Sequence, residues 1–393
     1  MSMTVQARTG DATAAAGRVP RLLAAPPLRT LPEHQARYGP YRPAGACLID
    51  EVDEAGLRGR GGSGFPTAIK MRAVAAARGR RRPVVVANGS EGEPASSKDK
   101  VLLTTAPHLV FDGMAAAAAA VGASRAVLCV DRREREVGHI ARSALHERRG
   151  RDGLDLDVVD VPSRYVAGEE TALVSWLDGG LAKPTYKLTR PAERGVGGAP
   201  TLVDNVETLA QVAWIARFGA PAWRAVGDGD ERGTMLVTVR GGVRRPGVFE
   251  IPLGTPMASM LGHAGAGQPT GVLVGGYFGT WLTPSEASVA LLSSRGLRPY
   301  GASLGCGLIA PMPSGHCPLE EVSRVVRWLA ANSAGQCGSC LNGLPALAAA
   351  FDRVIDGDGA AIRSVDRWSP MIEGRGACKL PDGAVRFLGS SRR

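Results

Sequence analysis

Short apolar runs alternate with stretches of helical periodicity over the first half of this chain, and the pattern changes twice farther on. Residues 83–87, 126–130 and 156–161 are compact apolar runs of the kind that form buried strands. Residues 112–121 and 135–147 between them carry helical spacing, so a layered α/β unit is expected. A stretch rich in glycine and acid, 227–233, closes that unit. Beyond it 235–240 alternates as a strand, 241–247 turns, 248–251 returns, and 257–264 predicts a short helix ahead of 271–275; together they form a small β-grasp-like module. From Pro318 the residues Leu319, Val322, Val325, Val326 and Leu329 recur at helical spacing, and the chain stays mainly helical through Val354. Ahead of all this, prolines at 20, 26, 27, 32, 40 and 43 predict an arm without helix up to about Tyr41. The expected division is a flexible arm over 1–45, an α/β domain over 46–226, a β-grasp domain over 227–312 and a helical domain over 313–393.

Composition narrows the picture. A chain of 393 residues exceeds what one hydrophobic core fills, which supports several units. No run of 18 or more strongly apolar residues is present; 114–123 is short and mostly alanine, so no membrane span is expected. Arg8, Arg18, Arg21 and Arg29 sit among alanines near the start, but Asp11 interrupts them and no apolar core follows, so a disordered tail is expected rather than a targeting peptide. The net charge of +10 raises nucleic acid as a partner, yet the basic residues are dispersed and no nucleic-acid module accompanies them, so none is expected. Such a surface equally suits anionic dinucleotides or an acidic electron carrier. The seven cysteines are an odd number, which argues against a disulfide framework and for a reducing, cytoplasmic setting.

The richest local signal lies at 56–70, where Gly59, Gly61 and Gly64 satisfy G-x-G-x-x-G with Arg60 and Gly62 between them. An ordinary Rossmann loop follows a strand, whereas here the strand at 83–87 comes afterwards. The glycines still let backbone N–H groups approach a phosphate or flat ring. Pro66 opens a helix whose positive end would face an anion, and Lys70 adds a point charge one turn on. The alternative is a flexible glycine loop. Past the strand, Asn88-Gly-Ser-Glu91-Gly-Glu93-Pro places two carboxylates at a strand end, suited to ribose hydroxyls or a nicotinamide amide, or else forming a solvated acidic turn. Lys98, Asp99 and Lys100 are expected as surface charges. Gly168-Glu169-Glu170-Thr171 repeats glycine followed by paired acids, and Asp204-Asn205-Val-Glu-Thr offers amide and carboxyl groups ahead of another helix, with Asp204 or Asn205 able to cap it.

Taken in order, these four segments resemble the family of flavin- and NADH-binding subunits of respiratory complex I, which includes the diaphorase subunits of NAD-linked hydrogenases and formate dehydrogenases. The likeness runs from about Gly56 to Cys378: G-R-G-G-x-G-F-P-T, the loop with two glutamates, G-E-E-T, and a form of N-N-V-E-T. It implies an α/β fold class: a Rossmann-like FMN/NADH domain, a β-grasp domain of the soluble-ligand-binding (SLBB) type, and a C-terminal helical iron–sulfur-binding bundle. It further implies non-covalent FMN with NADH stacked on its ring. In that reading Gly59, Arg60, Gly61, Gly62, Gly64 and Lys70 surround flavin phosphate or dinucleotide, and Phe65 stacks near the adenine. Asn88, Glu91, Glu93, Gly168, Glu169, Glu170, Asp204 and Asn205 line the flavin and nicotinamide. The cofactor carries hydride transfer, so no catalytic nucleophile is expected. Ser90 stands where most relatives carry an acid.

The family holds a 4Fe-4S cluster with E-S-C-G-x-C-x-x-C and a distant cysteine. Here Cys337, Cys340 and Cys378 match three ligands, while Ala334 occupies the first ligand position. The three thiols are compatible with an altered 4Fe-4S cluster, with 3Fe-4S, with a cluster-free remnant, or with zinc alongside a histidine. Cys306 or Cys317 is a candidate for the missing thiolate, and Cys47 and Cys129 are expected in the core.

The resemblance implies an NADH:acceptor oxidoreductase that passes electrons singly to a partner, either ferredoxin-like or a 2Fe-2S thioredoxin-like subunit, within a hetero-oligomeric complex. Such a protein would be cytoplasmic, or peripheral to the inner face of a membrane through its partners. Ala334 and Ser90 motivate the competing reading, a scaffold or sensor that kept the fold and lost electron flow. A third is a ferredoxin-coupled subunit that drives electrons toward NAD. Carboxylates near the ribose would repel a 2′-phosphate and favour NADH over NADPH.

Overall fold

A computed structural model describes residues 21–23, 26–41, 45–77, 81–186, 189–229 and 231–392. The expected disordered tail and Arg8 and Arg18 lie outside the described residues.

The arm departs from expectation at two places, while 26–29 and 39–41 are without helix as expected. Leu31–Tyr38 is a helix, α1, closed at its start by a Thr30–Glu33 capping box and at its end by Gly39 at φ 74°. Pro32 lies in the first two helical positions, where the missing N–H has no intrahelical partner to lose. Upstream, Glu250 Oε2 accepts the backbone N–H groups of Arg21, Leu22 and Leu23, and the Arg21 guanidinium lies 4.3 Å over the Trp214 ring. This segment is packed against the body rather than flexible, and Leu22 and Leu23 are buried.

Two helices follow, α2 (Leu48–Ala55) and α3 (Thr67–Ala76), with the glycine loop between them. Then comes β1 (Val84–Gly89), α4 (Lys98–Thr105), α5 (Pro107–Val121), β2 (Arg125–Asp131), α6 (Arg135–Glu147) and β3 (Asp155–Val161). A short helix α7 (Glu170–Leu177) and a loop lead to β4 (Thr201–Asn205) and α8 (Val206–Arg224). The four strands form a parallel sheet in the order β3-β2-β1-β4. The chain therefore reverses its direction of winding between β1 and β4, and α/β sheets bind ligands beyond the strand ends at such a switch.

The alanine-rich run is buried in α5, not exposed to lipid. A Cβ added at Gly113 would overlap the Leu209 carbonyl, so α5 and α8 approach through this glycine. No single described helix is long and apolar enough to cross a membrane.

A five-stranded mixed sheet follows, built from Thr234–Val239, Gly247–Pro252, Val272–Val274, Thr280–Leu282 and Leu308–Pro311, with the helix Met257–Ala264 against it. The helices Pro318–Ala331, Leu344–Ile355, Ile362–Ile372 and Leu380–Ser390 follow, and they share a core with Leu308 of the preceding sheet and Tyr277 of the turn between two of its strands.

Candidate functional site

Asn88 near the end of β1 faces Asn205 at the end of β4 in parallel register, and the four sequence segments meet around this pair. The Asn88 amide donates to the Gly168 carbonyl at 2.8 Å and accepts from the Ser90 N–H and hydroxyl at 3.2 and 2.7 Å. Gly61 lies so close to Asn205 that an added Cβ would stand 3.2 Å from the asparagine Cβ. Arg60 pins the loop by its N–H to Thr208 Oγ1 at 2.9 Å and by its guanidinium to the Thr234 carbonyl at 3.0 Å. Lys70 reaches back from α3 to the Val203 carbonyl at 2.7 Å and Asp204 Oδ1 at 3.3 Å.

Several side chains expected to face a ligand spend their polar atoms inside the protein. Asn205 Oδ1 accepts from Lys98 at 3.2 Å and from the Glu207 N–H at 3.0 Å, while its Nδ2 donates to Asp99 at 2.7 Å and the Asn88 carbonyl at 3.4 Å. That exhausts an amide's capacity. Glu169 caps α7, accepting from the Thr171 and Ala172 N–H groups at 2.8 and 3.2 Å and from the Thr171 hydroxyl. Glu91, at φ 34°, accepts from Ser96 Oγ at 2.6 Å and from the Asp99 and Lys100 N–H groups at 3.2 and 3.1 Å, satisfying the first turn of α4. Burial, reinforced by Asp99, pushes the Glu91 carboxyl up to about 7.

Glu93 ties three parts of the chain together. It accepts from the Tyr277 N–H at 2.8 Å, from the Ala95 N–H at 3.3 Å and from Tyr165 Oη at 3.4 Å. Burial raises its carboxyl to about 7 against those hydrogen bonds. Tyr165 stands edge-on to Phe278 and Trp328 at 5.1 and 5.2 Å, and Tyr277 edge-on to Trp328 at 5.3 Å. This aromatic joint connects the α/β unit, the mixed sheet and the helical end.

Lys98 and Asp99 correct an expectation: they are not surface charges, because both are buried. Lys98 Nζ lies 2.6 Å from Asp99 and 2.9 Å from Glu207, and Glu207 is 3.9 Å from Arg60 Nε. The usable signal was helical spacing, since Lys98 shares a face of α4 with Val101, Leu102 and Thr105. Lys100 keeps its expected place, half-exposed and 3.1 Å from Glu134.

The crevice fits a flavin nucleotide. Gly62 and Gly64 hold φ of 116° and 61° with open space where side chains would stand, and no side chain caps the first turn of α3. Among the described residues, Thr67 Oγ1 and Asp204 Oδ2 are buried without a hydrogen-bond partner. Phe65, at the same loop, is exposed. Glu170 begins α7 beside the crevice.

The three thiols gather at the helical end. The Cys340 N–H donates to the Cys337 carbonyl at 3.0 Å, and Cys340 sits in a π-helical turn, Ser339–Gly343. Burial and the neighbouring Cys337 push the Cys340 thiol up to about 11, with Cys378 adding to the rise. Burial also raises Cys378, with a contribution from Glu169. Burial opposes ionisation of Cys337 too, but the N–H groups of Ala377 and Cys340 outweigh it and hold that thiol low. The donor set is soft and suits iron–sulfur or zinc chemistry. Among the described residues, however, no three His, Cys, Asp or Glu side chains stand in metal-ligand geometry, and Ala334 nearby in sequence is buried. Cys306 does not join the three: its thiol donates to the Gly275 carbonyl at 3.4 Å and its electrostatic neighbours are Glu93, Lys98 and Glu91. Cys317 is exposed at the start of Pro318–Ala331. Cys129 is in the core as expected, whereas Cys47 is exposed in a 3-10 turn.

Three family models match in the order of these units. They are the Nuo51 FMN-binding domain over residues 52–214, the SLBB domain over 236–274 and the NADH-ubiquinone oxidoreductase-F iron-sulfur binding region over 320–393. An NADH-quinone oxidoreductase subunit of the F type from Rhizobium meliloti is 30% identical over 87% of this chain and 85% of its own. The corresponding NADH-quinone oxidoreductase subunit of Mycobacterium tuberculosis is 32% identical over 88% of this chain and 82% of its own. The NAD-reducing hydrogenase HoxS subunit alpha of Cupriavidus necator is 32% identical over 74% of this chain and 53% of its own. A crystal structure of an NAD+-reducing NiFe hydrogenase in the H2-reduced state superposes with a TM-score of 0.80 at 30% identity, covering 88% of this chain and 60% of that one.

Proposed function

The chain belongs to the family of F-type NADH-quinone oxidoreductase subunits, and from that premise we propose that it oxidises NADH at a bound FMN and passes the electrons through an iron–sulfur site to a partner subunit. The observation that carries the reading is the meeting of all four segments at the β1–β4 switch, with Cys378 an electrostatic neighbour of Glu169 at the same crevice. Bound flavin supplies a two-electron acceptor that releases electrons one at a time.

The protein's share is positioning. The N–H groups around Gly59, Arg60, Gly61, Gly62 and Gly64, with Lys70 and the open end of α3, hold the phosphate. Phe65 offers an exposed ring to the adenine. Asn88, Glu91, Glu93, Gly168, Glu169, Glu170, Asp204 and Asn205 would line the flavin and nicotinamide, and Glu91, Glu93, Glu169 and Asn205 also fix the loops and helix ends that shape the crevice. The aromatic joint at Tyr165 packs the α/β unit against the helical end that carries the cysteines.

Cys337, Cys340 and Cys378 would hold an altered 4Fe-4S cluster, with water, another thiol or another side chain in the place of the ligand that Ala334 does not supply. The functional units are 46–226, 227–312 and 313–393. The protein works as one subunit of a hetero-oligomeric complex in the cytoplasm, delivering electrons to a ferredoxin-like or 2Fe-2S thioredoxin-like subunit, and it prefers NADH.

The test is anaerobic purification after iron supplementation, with visible spectra before and after NADH and iron and sulfide assayed on one sample. Flavin absorption that bleaches with NADH, plus iron, supports the reading. Ala334 and the cysteine geometry favour one alternative, a flavin protein without a working cluster, and bleaching without iron selects it. Absence of flavin after reconstitution sinks both.

A further inference from the structure

A second cavity, of about 300 Å³, opens on the same edge of the parallel sheet but beyond the ends of β2 and β3. Arg132 and Arg133 enter it from the turn after β2, Arg164 from the segment after β3, and Lys183 from the loop after α7. Among the described residues, none of these four cations has a carboxylate partner in an ion pair. Of the nearby acids, Asp160 pairs with Arg142 at 2.7 Å, while Asp131 and Asp178 point their carboxylates at the backbone N–H groups of Arg133 and Gly197 at 2.8 and 2.7 Å rather than at these four cations. The remaining wall is apolar and aromatic. Trp176 lies with the Arg132 guanidinium 5.5 Å from its ring, and Leu181 is 70% exposed at the rim.

Four cations without an ion-pair partner around one cavity outnumber the carboxylates beside them and give it a positive potential, which an anion relieves. Arginine forks match phosphate oxygens, and an indole beside an exposed leucine matches the face of a base. The volume is at the lower end of small-ligand sites. We propose that this cavity is a second binding site, specific for a nucleoside phosphate of the ADP type and separate from the flavin crevice.

Sheet order supports the separation. The crevice lies between β1 and β4, with the glycine loop on the β4 side, while the cavity lies over β2 and β3. Helix α7 spans the gap: Glu170 stands at the crevice, and Trp176 follows six residues later, roughly 9 Å along a helix rising about 1.5 Å per residue. Both readings of the crevice leave this inference unchanged.

The experiment is equilibrium dialysis of labelled ADP against the purified chain, with and without excess NAD+, on wild type and on the double variant Arg133→Ala/Arg164→Ala. Both arginines are exposed and lie outside the crevice. The expected result is one ADP per chain that excess NAD+ does not displace, and affinity at least about tenfold lower in the double variant. Flavin content and bleaching by NADH stay unchanged in that variant. Inorganic pyrophosphate should bind roughly tenfold more weakly than ADP, because it lacks a base to stack. Displacement by NAD+, indifference to the double substitution, or pyrophosphate equal to ADP would each overturn the proposal.

Discussion

Replacing Lys98 by methionine removes the one ammonium that faces two buried carboxylates. Lys98 is 1% exposed, with Asp99 and Glu207 within 2.6 and 2.9 Å, and its Nζ also fixes Asn205 Oδ1 at 3.2 Å. Methionine fills most of the volume, so the cost is electrostatic: breaking a buried pair from one side costs about 3–5 kcal/mol. At roughly 2–4 °C per kcal/mol for a unit of 150–250 residues, the melting temperature should fall by about 10 °C. The loss should also depend on pH. Burial already raises the Glu207 carboxyl, and Lys98 is the leading influence that lowers it, so the substitution raises it further. A carboxyl raised in the folded state gives stability that is present at low pH and lost as pH rises through its folded pKa. The deficit against wild type should therefore be small near pH 5 and widen toward pH 8, read by calorimetry across that range. Lys100→Met is the control. Its pair with Glu134 is partly exposed and should cost no more than about 1 kcal/mol at any pH. If Lys98→Met behaves like that control, the buried network does not hold the crevice as argued.

Three other substitutions test separate steps. Glu93→Gln keeps an acceptor for Tyr277 but removes the charge; since burial lifts Glu93 from 4.5 to about 7, wild type should lose stability as pH rises from about 4.5 through 7. The variant should match wild type at pH 5 and melt higher at pH 8, and parallel melting profiles would count against the assignment. Gly113→Ala forces a methyl against the Leu209 carbonyl and should cost about 1–3 kcal/mol or more by denaturant titration, where a neutral result would mean α5 and α8 can separate freely. Ala334→Cys adds a thiol beside the other three and should raise iron per chain and its persistence in air, read by iron and sulfide analysis; absence of iron from both the wild type and the variant would show that these cysteines do not hold a cluster.

The strands at 84–89, 125–131 and 155–161 and the helices around them were legible because apolar periodicity is local, and binary patterning largely decides which segments pair and bury. The four crevice segments were legible for a related reason: glycine, acid and amide types at fixed spacings mark where a backbone must approach a ligand. The sequence alone also placed Cys337, Cys340 and Cys378 within the last 60 or so residues.

Other features depended on contacts between residues far apart in the chain. Proline positions predicted an arm without helix, but Pro32 falls where a helix tolerates it, and Glu250 holds residues 21–23 from more than 220 positions away. Lys98 and Asp99 look like solvated charges until α4 is packed between α6 and α8, where Glu207 arrives to neutralise the lysine. Residue type suggested that Glu91, Glu93, Glu169 and Asn205 face a ligand; the fold shows that three of them also finish helix ends and that Glu93 also joins the units. A side chain's type and spacing determine what it is able to bond. Which partner takes that bond is decided only when the fold brings a competing donor within about 3 Å, because a buried polar group left unpaired costs more than the sequence pattern can express.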